Sequence, residues 1–238
     1  KRQFAQMRMS PAKTDQKDAI VIAEFTQMTR PKLWEPPTAA IQSIRNIESY
    51  LDGLKQRRQM LSNQLHEFEA AGTIEELLYN EIKEEVESHD KRIEDKERQI
   101  AELIEQNYAE MAANIRSIPG IGPRSTSMLI VATDGFGMFE NYKQVISYFG
   151  LAPRIYESGT SVKGKGHICK MGMGQMRKVL YMAATSAIRC NRACKELYER
   201  LRAKGKPYKV ALIAAVNKLI KQAFAIAKSG KPYKVQLP

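Results

Sequence analysis

Between Leu151 and Gly174 the chain reads LAPRIYESGTSVKGKGHICKMGMG, which crowds hydroxyls, glycines and cations into one stretch. Gly159, Gly164 and Lys165 reproduce the glycine and lysine spacing of a nucleotide-binding P-loop. Such a loop also needs a buried strand before it, a Ser or Thr after the lysine to hold magnesium, and a helix beginning there. Here APRIYE precedes, Gly166 follows Lys165, and HICKMGMG brings two more glycines, so the stretch does not read as an ATP site. What remains is a loop in which Arg154, Lys163, Lys165, His167, Lys170 and Arg177 surround small hydroxyls, a composition suited to gripping phosphates. The same residue types permit a sharper reaction, in which one hydroxyl attacks a DNA phosphodiester. A serine at its ordinary pKa is a weak nucleophile and needs a base, a metal or strong electrostatic help. Neighbouring Lys and Arg would neutralise the charge that develops on phosphorus, and magnesium held by carboxylates would add to this. Outside the acidic middle of the chain, the carboxylates placed for that role are Asp15 and Asp18, three apart and so on one helical face. The same pair also reads as a helix N-terminus with solvated charge.

A second phosphate device is the tract Ile118-Pro119-Gly120-Ile121-Gly122-Pro123, followed by Arg124. Glycines between a helix end and a helix start let the backbone turn tightly and leave amide N–H groups open to a phosphate oxygen. This is the logic of a helix-hairpin-helix, which holds the DNA backbone without reading bases; a plain helix–helix turn is the alternative.

These residues must be positioned by three segments that differ in charge. Residues 1–35 carry a net +3, residues 36–115 a net −8 and residues 116–238 a net +17, within a chain of net +12. A last segment with 22 basic and 5 acidic side chains repels itself unless it meets a polyanion, and nucleic acid is the expected partner. No basic amphipathic helix with a Trp or Phe anchor, no run of eighteen apolar residues and no secretory h-region is found, so no membrane partner is expected. Cys169, Cys190 and Cys194 are odd in number and lack CxxC spacing, which fits ordinary reduced thiols.

The first segment spaces Ala19, Ile20 and Ala23, with Ile22 and Met28, as one short amphipathic helix. From Thr38 the pattern lengthens: Ile41, Ile44, Tyr50 or Leu51, Leu54, Leu61, Leu65 and Phe68 recur at threes and fours. After AAGT, Thr73 and Glu76 fit a capping box, and Ile82, Val86, His89, Ile93, Ile100, Ile104, Tyr108, Met111 and Ile115 continue a heptad-like stripe. Helices of roughly 50 to 60 Å predict a protruding coiled coil used for self-association, with His89 a tolerated seam residue. The last segment reads as short helices around the basic loop, with no strand alternation. The fold class expected from these patterns is therefore mainly α: one short helix in residues 1–35, a coiled coil over 36–115, and a helical domain over 116–238.

The combination of KTDQKDA, a coiled coil, SIPGIGP, GLAPRIYESGTSVKGKGHICKMGMGQMRKVLYMAA and GKPYKVALIAAVNKL resembles the DEDD-type transposases of the insertion-sequence-110 family, relatives of the Piv invertase. That resemblance implies a RuvC-like α/β N-terminal domain whose four acidic residues bind Mg2+ and of which residues 1–35 are the C-terminal remnant, and a C-terminal helical domain carrying a nucleophilic serine. It places Asp15 and Asp18 at the last two acidic positions and Ser158 at the serine, with Ser161 as the fallback. It further implies a phosphoserine link to DNA, a dimer or tetramer, a structured guide RNA, and a bacterial cytoplasmic, nucleoid-associated location. The family's first aspartate and its glutamate would lie upstream of KTDQKDA, so the resemblance reads this chain as a fragment, or as a truncated copy that binds DNA without cutting it.

Overall fold

The computed structural model describes residues 4, 14–31, 33, 36–154, 157–158, 162–163 and 167–234. Its contacts divide the chain into one unit of residues 1–37 and a second of residues 38–238. Among the described residues eight helices of four residues or more carry almost all the regular structure, so the fold is mainly α.

In the first unit, α1 spans Asp15–Thr29. Thr14 caps it by accepting from the Lys17 amide at 3.3 Å, and Asp15 and Asp18 in its first turn oppose the positive end of the helix dipole. Arg30, in the left-handed region at φ 41°, ends it. The packed face differs from the expected one. Val21 is buried and Phe25 meets Phe4 edge-on at 5.5 Å, while Ala19, Ile20, Ile22 and Ala23 are exposed. The three-and-four spacing that matters runs through Asp18, Val21 and Phe25, so Asp18 lies at the edge of the packed side.

The second unit opens with α2 (Ala39–Ala71) and α3 (Glu76–Arg116), about 50 and 60 Å long at 1.5 Å per residue. They pair with each other antiparallel. Ile41, Ile44, Leu51 and Leu54 of α2 bury against the side carrying Ile82, Ile100 and Ile104 of α3. Leu51, not Tyr50, takes the seam. The arms are laced by Lys55 Nζ to Glu97 at 2.5 Å and by Arg58, which reaches both carboxylate oxygens of Asp90 at 3.0 and 3.3 Å. His89 is half-buried and its Nδ1 meets the Glu85 carbonyl at 2.9 Å, within its own helix. The expected capping box is displaced: Glu75 is the N-cap of α3, without a side-chain hydrogen bond, so Thr73 stands a half-turn too early. Near its far end α3 breaks at Tyr108 (φ −141°, ψ 26°), whose hydroxyl meets Thr38 Oγ1 at 3.1 Å.

After a tight turn follow α4 (Pro123–Thr133), α5 (Tyr142–Tyr148), two antiparallel pairs of two-residue strands, α6 (Gly174–Cys190), α7 (Arg192–Ala203) and α8 (Tyr208–Ser229). α8 is the central post, with Leu212, Ala215, Val216, Leu219, Ile220 and Ala223 fully buried. It is also the one helix among the described residues long and apolar enough to cross a membrane. Its apolar face is instead consumed by α5, α6 and α7, and it carries lysines that hydrocarbon would penalise. Beyond α8 the chain is strapped to the end of α3: Asn114 donates to the Gly230 carbonyl at 3.0 Å and the Tyr233 amide to Ser117 Oγ at 2.7 Å.

Candidate functional site

The stretch expected to be a plain loop is a ribbon in its described parts. β1 (Pro153–Arg154) pairs antiparallel with β4 (His167–Ile168), and inside them β2 (Glu157–Ser158) pairs with β3 (Val162–Lys163). Ser158 stands opposite Val162, with only Gly159, Thr160 and Ser161 between them in the chain. The signal was present in the sequence: Ile155, Tyr156, Val162 and Ile168 are strand formers flanking a short glycine-containing connection, which is a hairpin pattern.

The foot of this ribbon is unusually close. Tyr148 to Ala152 leave α5 and cross Cys169 to Met173 on their way into α6. A Cβ on Gly150 would lie 2.2 Å from the Met171 carbonyl oxygen, and one on Gly172 2.2 Å from that of Tyr148. Both glycines also have positive φ, 71° and 110°, so two backbones touch where no side chain fits. The crossing is tied by the Lys170 amide to the Gly150 carbonyl and the Cys169 amide to that of Ala152, each at 3.0 Å. Arg177, half-buried in the first turn of α6, lays its guanidinium over this point and donates from Nη1 to the Phe149 carbonyl at 3.0 Å.

Of the cations expected to meet phosphate, Arg154 and Lys170 are exposed beside the ribbon, and Lys163 has its backbone opposite Glu157 in β3. Lys165 and Ser161 lie outside the described residues. Arg177 has an internal task instead, as the brace of the crossing.

The glycine tract does join two helices, α3 and α4, but its residues serve packing first. Gly120 has φ 96°, and a Cβ there would fall 2.5 Å from that of Ala187 on α6. Buried Asn191 Nδ2 reaches the Pro119 carbonyl at 3.3 Å and Gln222 Oε1 at 2.9 Å, bracing the turn from the start of α7. Gly122 is the N-cap of α4 with open space beside it and Pro123 at N1. Arg124, at that helix's start, pairs with Glu97 of α3 at 3.6 Å. It also faces Glu48 of α2, whose carboxyl burial pushes above its usual range while Arg124 pulls it partly back. A cavity of about 220 Å³ between α4 and the hairpin is lined by Glu48, Glu97, Pro123, Arg124 and Ser127. The hairpin's acid thus meets the first turn of α4 on this side.

Asp15 is exposed and Asp18 half-buried in the first unit. Among the described residues no cluster of three or more His, Cys, Asp or Glu side chains forms a metal cage. Magnesium is commonly held by one or two protein carboxylates together with water and substrate phosphates, and a pair at i, i+3 fits that mode. The thiols fit no metal role: Cys194 is buried beneath α8 and desolvation pushes its pKa up to about 11.

Comparison with known proteins gives this geometry a context. Residues 112–199, from the end of α3 through the ribbon to α7, match the model of the transposase IS116/IS110/IS902 family. Residues 1–68 match the DEDD transposase model of IS110 elements. The pilin gene-inverting protein of Moraxella lacunata is 29% identical over 231 residues, covering 93% of this chain and 68% of the relative. A protein of insertion element IS110 from Streptomyces coelicolor is 30% identical over 142 residues, covering 60% of this chain and 34% of its own length. A putative transposase of Sinorhizobium fredii is 27% identical over 129 residues, covering 52% and 33%.

Proposed function

The chain carries the domains of the IS110 transposase family and is a DNA transposase or recombinase, and from that premise we propose that it cuts and rejoins DNA through Ser158. The observation that carries this reading is the seat of Ser158, in a paired strand that falls in the chain between the two strands of the β1–β4 pair, next to which the chain is held by the Gly150–Gly172 crossing. A nucleophile must be presented in a fixed geometry, because positioning alone supplies a large part of catalysis at phosphorus.

In the proposed step the serine Oγ forms a bond to phosphorus and one phosphorus–oxygen ester bond breaks. The departing deoxyribose oxygen takes up a proton as the serine loses one. One phosphate ester is exchanged for another, so the reverse attack by a different DNA end rejoins the strand without ATP. That agrees with a glycine-rich stretch failing every contextual requirement of a nucleotide loop. Arg154 and Lys170, both exposed, and Lys163 and Lys165 of the same stretch of sequence would supply positive charge to neutralise the phosphoryl oxygens as charge accumulates on them. Asp15 and Asp18 would hold a magnesium ion, which when bound would supply positive charge to a DNA phosphate. A structured RNA as guide, self-association through the hairpin, and work in the bacterial cytoplasm at the nucleoid complete the proposal.

The test is a denaturing-gel assay for covalent protein–DNA adducts on duplex substrates, using the protein expressed from its complete reading frame. Ser158→Ala is expected to abolish adducts while Ser161→Ala retains them. Adducts that persist in Ser158→Ala would falsify the nucleophile assignment. Salt-sensitive DNA binding without cleavage in the wild type would favour a purely binding and assembling role.

A further inference from the structure

From Arg200 to Pro238 the chain has ten basic side chains and no acidic one. The hexapeptide Gly-Lys-Pro-Tyr-Lys-Val occurs twice in this stretch, at residues 205–210 and 230–235, once at each end of α8. Each copy begins with a glycine in the left-handed region, φ 73° at Gly205 and 65° at Gly230, so each is a turn at a helix end. Lys206, Lys209, Lys231 and Lys234 are all exposed.

Between these turns α8 has two unlike sides. At 3.6 residues per turn, Leu212, Ala215, Leu219, Ala223 and Ile226 fall on the buried side. Lys221, Ala225 and Lys228 fall on the opposite side and are exposed, with half-buried Lys218 at its edge. Among the described residues none of these three lysines makes a salt bridge. Lys221 instead sits 5.3 Å from the Tyr142 ring centroid, and Lys228 lies 5.6 Å from that of Phe224. A folded helix bearing a cation stripe with no carboxylate in reach along its own length is complementary to a polyanion. The spacing selects which polyanion. α8 has 22 residues, so the two basic turns stand about 33 Å apart along its axis. One turn of duplex DNA repeats at about 34–36 Å.

We propose that the outer face of α8, from the Lys206–Lys209 turn to the Lys231–Lys234 turn, docks one turn of duplex DNA by its phosphates. The twin turns hold the backbone at successive crossings and the lysine stripe faces the groove between them. The contacts are to phosphate, so this surface holds DNA in place without choosing a sequence. It rests on the DNA-acting reading above but is independent of Ser158.

The experiment is fluorescence-anisotropy titration of the 238-residue chain with a 20-base-pair duplex of arbitrary sequence, between about 50 and 200 mM salt. The logarithmic salt slope falls by roughly 0.9 for each phosphate that the protein no longer neutralises. The triple change Lys218→Gln, Lys221→Gln, Lys228→Gln is expected to lower it by up to about 2.7. The pairs Lys206→Gln with Lys209→Gln, and Lys231→Gln with Lys234→Gln, are each expected to lower it by up to about 1.8. Each pair should also shorten a hydroxyl-radical footprint of about ten base pairs from one end. Unchanged thermal midpoints confirm that the substitutions, the half-buried Lys218→Gln among them, leave the fold intact. Wild-type affinity and slope in all three variants overturn the proposal, as does impaired binding to a structured RNA with duplex binding unchanged. A wild-type chain that binds no duplex at the lowest salt overturns the proposal together with the reading it rests on, whereas a failure to form adducts alone leaves it standing.

Discussion

A guanidinium in a basic region can hold a phosphate or hold its own backbone, and Arg177 does the second. Its hydrogen bond to Phe149 braces the Gly150–Gly172 crossing beside the β1–β4 pair, so any influence on the proposed chemistry at Ser158 would run through position. A charged hydrogen bond of this kind is worth about 1.5–3 kcal/mol, which is at least tenfold in a local opening equilibrium. Arg177→Met is therefore expected to speed amide exchange at Cys169 and Lys170 by about tenfold or more, measured by hydrogen–deuterium exchange, while the salt slope of DNA binding stays at the wild-type value. A lowered slope with unchanged exchange would return Arg177 to the phosphate-binding set. Residue types that could do this chemistry were legible in the sequence, and the structure adds that Arg154 lies exposed in the β1–β4 pair with Lys170 exposed just past it. The partners were not. Nothing in the local pattern distinguishes an arginine that will meet a carbonyl 28 residues away from one that will meet solvent, and Arg124 was likewise invisible as the partner of Glu97.

At the level of elements, the glycine tract between α3 and α4 shows how one sequence signal can have two physical causes. Gly120 and Gly122 look alike in a helix-hairpin-helix pattern, yet only Gly120 combines positive φ with a blocked Cβ. Gly120→Ala is expected to cost about 2 kcal/mol or more, through backbone strain and displacement of α6. In a chain of this size that lowers the thermal midpoint by roughly 4–8 °C. Gly122→Ala, with φ −94° and open space, should stay close to wild type in the same melt. Equal effects at the two positions would mean that the turn, not the contact with Ala187, sets the requirement. The long helices were legible because their period persists over many turns: Ile41, Ile44, Leu51, Leu54, Ile100 and Ile104 are the seam in sequence and in structure alike. Short or one-sided elements were not. In α1 alternative faces were equally plausible until Phe4 covered Phe25, and two-residue strands leave almost no periodic trace.

For the whole chain, charge is sorted along the sequence, and the second unit brings the acidic middle against the start of the basic last segment. Arg116–Glu105 and Arg124–Glu97 mark that seam, and among the described residues the ion pairs of the later cations are Arg192–Glu196 and Lys195–Glu199 within α7. The coiled coil is satisfied largely within one chain, by α2 against α3, which narrows where a second copy would attach. Met60, in the outer half of α2, and Leu77, in the first turn of α3, are 62% and 79% exposed, well above the seam residues. Replacing both with Ser is expected to shift the mass measured by light scattering toward the monomer while the thermal midpoint holds. An unchanged mass distribution would leave internal pairing as the hairpin's whole role. The family matches also fall on either side of the bend between the arms, at residues 1–68 and 112–199. Thr38 and Tyr108, which open α2 and kink α3, meet in a single hydrogen bond. The path of the chain therefore enters and leaves the hairpin at one doorway, and everything past it is a side branch. Such a branch can gain or lose matched turns on both arms without shifting the helices behind the doorway, so its reach is free to drift between lineages while the ribbon and its foot stay where they are.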